Sequence, residues 1–143
     1  MSLEEQHWWS YATIALVVPA IYFAIVLRQL GGTPAAQIEF QLPLLVAGGT
    51  GVVLTIVATI VLRVTTVIGS PKGTPRTDQR DRDIHRLGEY IAGIVLAAAM
   101  AVPFGLVMIE ADHFWIANAM YLAFALSALA GSAVKLVIYR RGF

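Results

Sequence analysis

Acidic side chains crowd one short polar segment of the chain, where they could hold a divalent metal ion or a lipid headgroup. Asp78, Asp81 and Asp83 all lie within Gly69–Gly88 and are interleaved with arginines. Metal sites usually gather ligands from several elements, whereas these three carboxylates belong to one run. We therefore favour a solvated, self-paired helix start whose arginines contact anionic lipid headgroups.

A second cluster of metal-ligating residue types precedes an aromatic residue. Glu110, Asp112 and His113 come just before Trp115, and a histidine with two carboxylates could bind a divalent ion or relay protons. A polar turn beside an interfacial aromatic anchor accounts for the same residues. We favour the turn and predict no metal site there.

Catalytic and cofactor chemistry finds little support elsewhere in the chain. There is no cysteine, which excludes disulfides, thiolate zinc sites, iron–sulfur clusters and cysteine nucleophiles. His7, His85 and His113 all lie outside the apolar stretches, so no histidine pair could ligate a haem within a membrane. No phosphate-binding glycine loop, HExxH or GxSxG motif occurs. The sequence predicts a protein that is not an enzyme and carries no cofactor.

The composition is typical of an integral membrane protein. Of 143 residues, 58% are hydrophobic and 13% are charged, and the mean hydropathy is +0.73. A soluble domain carries roughly 25% charged residues. With a net charge of +1, these values exclude an ordinary soluble globule, a disordered chain and a nucleic-acid partner bound through basic excess.

Four apolar stretches are long enough to cross a bilayer, which requires about 20 residues of helix. Open strands cannot satisfy their backbone in lipid, so the fold class is all-α. We predict a single four-transmembrane-helix bundle over 1–143, with spans at about 10–27, 42–62, 90–109 and 114–138 and a polar loop over 63–89.

Basic residues set the predicted orientation. Nine of the ten lysines and arginines fall on the side that holds both termini and the 63–89 loop, and only Arg28 falls on the other. This positive-inside bias predicts that both termini are cytoplasmic (N-in/C-in). The residues predicted to contact anionic lipid or a soluble partner are the loop arginines Arg76, Arg80, Arg82 and Arg86.

Small residues recur at every fourth position in spans three and four, which is typical of closely packed membrane helices. An antiparallel hairpin would pair Glu89 with Lys135 as an ion pair, and small residues along the rest of the contact. The predicted small-residue pairs are Gly93 with Gly131, Ala97 with Ser127, Ala101 with Ala123 and Gly105 with Ala119. The same ridge could instead face a second copy of the chain, and Lys135 could simply extend its ammonium to the interface.

Prolines and hydroxyls within the spans have two interpretations. Pro19 and Pro103 should kink spans one and three, either as packing bends or as breaks that expose backbone to a substrate. Thr55 and Thr59 in span two can bond their own backbone carbonyls, so their polarity does not require a pore.

Three runs in the second half of the chain resemble a group of uncharacterised bacterial four-span inner-membrane proteins. These runs are Asp81–Arg86, His113–Ala119 and Tyr139–Phe143. The resemblance implies the same four-span layout and a location in a bacterial inner (plasma) membrane. Because members of that group are often found beside helix-turn-helix regulators, it also implies a regulatory role.

The sequence leaves three hypotheses for function. The first is a non-enzymatic protein that acts through contacts, by homo-oligomerisation or with a membrane partner, and through its loop. The second is a small oligomeric transporter or channel, and the third is a lipid enzyme using the Asp78, Asp81 and Asp83 run. The transporter would be built around Thr55, Thr59, Asn118, Ser127 and the Glu89–Lys135 pair.

Overall fold

The computed structural model describes residues 3–69 and 79–141. These residues are almost entirely α-helical, with one turn of 3₁₀ helix over Ala35–Gln37 and no strand in the described ranges. This confirms the predicted all-α class. In chain order the helices are α1 (Leu3–Leu30), α2 (Gln41–Gly69), α3 (Gln79–Ala99), α4 (Ala101–Met108) and α5 (His113–Arg141).

Four helical stretches of the described chain are long and apolar enough to cross a membrane. The chain is therefore a multi-pass membrane protein. They are Glu5–Leu30, Gln41–Thr65, Gln79–Met108 and His113–Arg141. The helices run past the predicted spans because a helix satisfies its own backbone wherever the flanking residues permit it. The predicted 63–89 loop is therefore helical at both ends, over 63–69 and 79–89, and Arg76 and Asp78 lie outside the described residues.

Helix α5 is the centre of the assembly. A third of its candidate span (33%) is buried, against 11% or less in the other three. It packs extensively against α3 and α1, while α2 rests mainly on α1 among the described helices. The order α3–α5–α1–α2 leaves an open space between α2 and α5.

The start of α1 and the end of α5 lie at the same end of the molecule as the start of α3. Tyr139 Oη donates a 2.9 Å hydrogen bond to Asp81 Oδ1, and Arg140 Nε lies 3.6 Å from Glu5 Oε1. The opposite end is closed by an apolar cluster in which Tyr22, Ile38 and Phe114 are buried together. This arrangement fits four crossings, because the start of α1, the start of α3 and the end of α5 share one side.

The two prolines within candidate spans have different consequences. Pro19 lies inside α1, which runs without interruption. Pro103 is buried near the start of α4, and the helical run breaks at Met100 between α3 and α4. Proline lacks the N–H that would bond a carbonyl four residues earlier, so a break at this position is expected. The helix assignment therefore changes close to Pro103 and not at Pro19, and the predicted kinks of the two spans stay predictions.

Candidate ligand-binding groove

A groove with a volume of about 580 Å³ runs between α1, α2 and α5 and reaches α3 at one end. Small-molecule sites typically occupy roughly 300–1,000 Å³. Every residue that lines the groove belongs to a candidate membrane span. The open space between α2 and α5 is therefore large enough for a ligand and lies within the apolar part of the molecule.

Small side chains on two walls account for the volume of the groove. Helix α2 contributes Gly48 and Gly51, and α5 contributes Ala128 and Gly131. A Cβ added to Gly51 would lie 4.0 Å from Val18 Cγ1, so α2 approaches α1 at ordinary contact distance. A Cβ added to Gly48 would meet nothing within 4 Å. The α2 wall thus touches α1 on one side and faces empty space on the other.

Most hydroxyls in the groove are already bonded to backbone. Thr55 Oγ1 donates to the Gly51 carbonyl at 2.8 Å, and Ser132 Oγ donates to the Ala128 carbonyl at 2.7 Å. Helical Ser and Thr commonly bond in this way and then present a largely apolar surface. The self-bonding predicted for Thr55 and Thr59 is confirmed. The chemistry of the groove is therefore concentrated at its charged end.

An ion pair stands at the end of the groove that lies nearest the chain termini. Lys135 Nζ donates to Glu89 Oε1 at 2.5 Å, joining α5 to α3. The side chain of Lys135 is 2% exposed, whereas that of Glu89 is 59% exposed. The structure thus brings together Glu89 and Lys135, and it buries the ammonium rather than extending it to an interface.

Aromatic rings surround this ion pair. Lys135 Nζ lies 3.5 Å from the centroid of the Trp8 ring, which is a close cation–π contact. The Trp8 ring is in turn packed by His7, Tyr11 and His85, with centroids 5.0, 5.9 and 5.7 Å away. Nothing in the sequence indicates that Trp8 covers Lys135, since 127 positions separate the two.

The aliphatic stem of Lys135 lies in a notch on α3 formed by Gly88. A Cβ at position 88 would overlap Cγ, Cδ and Cε of Lys135. A Cβ at Gly131 would come within 3.0 Å of Ala92 Cβ and 3.1 Å of the Gly88 carbonyl oxygen. Ser127 Oγ donates to the Ala92 carbonyl at 2.8 Å. The close contact therefore joins Gly88 and Ala92 of α3 to Ser127, Gly131 and Lys135 of α5.

The predicted α3 side of this contact needs correction. Gly93 and Ala97 are exposed, and a Cβ at Gly93 would meet nothing within 4 Å. The pairs of Gly93 with Gly131 and Ala97 with Ser127 are wrong, because the contact face of α3 lies one residue earlier, on Gly88 and Ala92. One residue turns a helix by about 100°, so the predicted ridge points away from α5. On α5, Ser127 and Gly131 do lie in the contact.

The predicted loop arginines lie apart from the groove. Arg80, Arg82 and Arg86 are exposed near the start of α3, and Arg76 is outside the described residues. Among the described residues no group of three or more His, Asp or Glu side chains is placed to hold a metal ion. Glu110, Asp112 and His113 surround the turn between α4 and α5.

No protein-family model, curated protein or solved structure matches the chain. The resemblance to four-span inner-membrane proteins stays a prediction, and function has to be inferred from the groove and its charged end.

Proposed function

We propose that this chain is a non-enzymatic protein of the bacterial inner membrane that binds an amphiphilic molecule in the groove. One observation carries the proposal: a space of about 580 Å³ lies among the candidate spans, with apolar walls and an ion pair at one end. Ligand sites commonly combine apolar walls with a few polar groups that fix orientation. An amphiphile could place its tail along α2 and α5 and its polar group near Glu89.

The orientation belongs to the same proposal. The start of α1, the start of α3 and the end of α5 share one end of the molecule, and among the described residues nearly all lysines and arginines belong to that end. The positive-inside bias supports placing this end in the cytoplasm. The charged end of the groove would then lie toward the inner leaflet, where Arg80, Arg82 and Arg86 can contact anionic headgroups.

Adjacent glycines of α2 offer a matched test of the groove. Gly48 lines it and Gly49 does not, and a Cβ at either position would meet nothing within 4 Å. A Gly48→Phe ring would fill the groove, whereas a Gly49→Phe ring would point elsewhere. Each variant is purified from its native membrane in a non-ionic detergent, and its bound organic molecules are identified by mass spectrometry.

We expect one amphiphile to be enriched over bulk lipid with the unaltered protein and with Gly49→Phe, and to be strongly depleted with Gly48→Phe. Circular dichroism should show equal helix content in all three proteins. If the unaltered protein carries only bulk lipid, or if both variants carry the same molecules, the groove is not a binding site.

Transport is a second candidate function, favoured by the ion pair at the end of the groove. Lys135 and Glu89 join α5 to α3, so exchanging one partner for a substrate would loosen that contact. Flux into liposomes that is abolished by Glu89→Gln or Lys135→Met would support transport. If no common ion or cationic drug shows any flux, transport is rejected and ligand binding remains the proposed function. Homo-oligomerisation and a membrane partner stay sequence predictions.

A further inference from the structure

We propose that the ligand of the groove is a cationic amphiphile, with an ammonium group at the Glu89 carboxylate and an apolar chain along α2 and α5. This inference rests on the proposed binding function and adds the charge of the ligand. It follows from an asymmetry within the ion pair, whose two members differ greatly in accessibility.

The positive member of the pair is enclosed, and the negative member is open. The Lys135 side chain is 2% exposed, while the Glu89 side chain is 59% exposed and lines the groove. Lys135 bonds one carboxylate oxygen of Glu89, Oε1. A carboxylate has about four acceptor positions on its two oxygens, so Glu89 can accept further donors without losing Lys135.

An anionic ligand would meet the opposite situation. The ammonium of Lys135 is held between Glu89 and the Trp8 ring, so an anion could reach it only by displacing one of them. No arginine lines the groove within the described residues. An anion would also face the exposed carboxylate of Glu89 at short range, where like charges repel.

The aromatic groups at this end also favour a cation. Trp8 and Tyr11 line the groove beside Glu89. Aromatic faces attract ammonium groups through the negative charge of the ring face. The 3.5 Å contact between Lys135 Nζ and Trp8 shows that the local geometry already accepts an ammonium. The self-bonded hydroxyls of Thr55 and Ser132 leave an apolar path for a chain.

Two probes with the same tail and opposite charge test this inference. Dodecylammonium and dodecyl sulfate are titrated separately, by calorimetry, into the full chain in phosphatidylcholine nanodiscs. Both titrations are run in the same buffer. Empty nanodiscs and Gly48→Phe nanodiscs give the background partitioning of each probe. We expect the ammonium probe to bind the groove about tenfold or more tightly than the sulfate probe.

Removing one or the other charge of the ion pair should change the affinity for the ammonium probe in opposite directions. Glu89→Gln should lower affinity for the ammonium probe about tenfold. Lys135→Met should raise it, because methionine keeps the buried stem and leaves the Glu89 charge uncompensated. The double variant Glu89→Gln with Lys135→Met buries no unpaired charge and should bind both probes alike. It therefore separates loss of the carboxylate from damage to the fold.

Other results would overturn the inference. Equal binding of the two probes, or a preference for sulfate, with Gly48→Phe abolishing both, would keep the groove as a binding site and reject the cationic ligand. If Lys135→Met weakens ammonium binding as much as Glu89→Gln does, the ion pair serves only the fold. Binding of neither probe above the Gly48→Phe background would reject the proposed function together with its ligand.

Discussion

Lys135 is a buried lysine that makes three different contacts. Its ammonium bonds Glu89, the same nitrogen lies over the Trp8 ring, and its stem fills the notch at Gly88. A lone charge among apolar spans would cost several kcal/mol. The carboxylate and the ring reduce that cost, and the missing Cβ of Gly88 provides the space. Position 88 therefore controls how closely α3 approaches α5.

Alanine at position 88 should destabilise the protein, and alanine at position 93 should not. A Cβ at Gly88 would overlap the enclosed stem of Lys135, whereas a Cβ at Gly93 would enter open space. Overpacking costs roughly 1–3 kcal/mol, and alanine returns up to about 1 kcal/mol of helix propensity. We expect a net loss of about 1–2 kcal/mol for Gly88→Ala and no loss for Gly93→Ala.

Thermal unfolding in a non-ionic detergent, followed by circular dichroism, checks this pair. A lower Tm for Gly88→Ala alone would support the observed contact of α3 with α5. A lower Tm for Gly93→Ala alone would restore the register predicted from the small-residue pattern.

A buried hydrogen bond at the other end of the molecule gives a second residue-scale prediction. Tyr22 Oη donates to Asn118 Oδ1 at 2.8 Å, and Asn118 Nδ2 donates to the Phe114 carbonyl at 2.8 Å. Tyr22→Phe would leave the amide oxygen unsatisfied, so we expect a loss of about 1 kcal/mol.

Tyr121 provides the matched control for Tyr22. Its ring centroid is 5.3 Å from that of Tyr22, and its hydroxyl makes no hydrogen bond among the described residues. Tyr121→Phe should therefore change stability by less than about 0.5 kcal/mol. Equal Tm values for the two variants would mean that the Tyr22–Asn118 bond contributes nothing measurable.

At the scale of helices, the position of α2 decides whether a groove exists. It packs extensively on α1 and only slightly on other described helices. Membrane helices associate through close packing of small residues, and here Gly51 is the point at which α2 meets Val18 of α1. If α2 moved against α5, the groove would close.

Cysteine crosslinking tests this placement of α2. Because the chain has no cysteine of its own, only the introduced pair can form a disulfide within it. Gly51→Cys with Val18→Cys should crosslink readily across the α1–α2 contact. Thr55→Cys with Ala92→Cys, on opposite walls of the groove, should crosslink slowly or not at all. Gel mobility after mild oxidation reports both pairs. Rapid crosslinking of the second pair would mean that the groove is closed in the membrane.

The helices themselves could be predicted from the sequence, but one helix face could not. Long apolar stretches must be helical because lipid offers the backbone no other hydrogen-bonding partner. Small residues recur at every fourth position from Gly93 in α3 to Gly105 in α4, and this run is longer than the pair of Gly88 and Ala92 that forms the observed contact. The observed face is fixed by the space that the Lys135 stem requires and by the Ser127 hydroxyl, whose acceptor is the Ala92 carbonyl.

The groove was beyond prediction for a different reason. Thr55, Ser127 and the Glu89–Lys135 pair were recognised as polar features of apolar spans, and all of them line the groove. Trp8 and Tyr11 line it as well, although they are distant in sequence. Hydropathy and spacing describe each helix singly, whereas the groove arises from which helices leave a gap.

At the scale of the whole molecule, the two ends differ in chemistry. One end holds both termini, the start of α3 and the ion pairs, and the other holds the 3₁₀ turn and an apolar cluster. Positive charge concentrated at one end orients a protein during insertion. The orientation in turn decides which leaflet the charged end of the groove faces, and so from which side an amphiphile would enter.

Single cysteines can determine that orientation. Gln37 lies exposed in the 3₁₀ turn, and Asp83 lies exposed near the start of α3. A membrane-impermeant maleimide added to intact cells of a bacterial host, after its outer membrane is opened, should label Gln37→Cys and leave Asp83→Cys unlabelled. Lysing the cells should make Asp83→Cys reactive, which confirms that it is accessible. The reverse pattern would place the charged end of the groove in the outer leaflet and require ligands to enter from the periplasmic side.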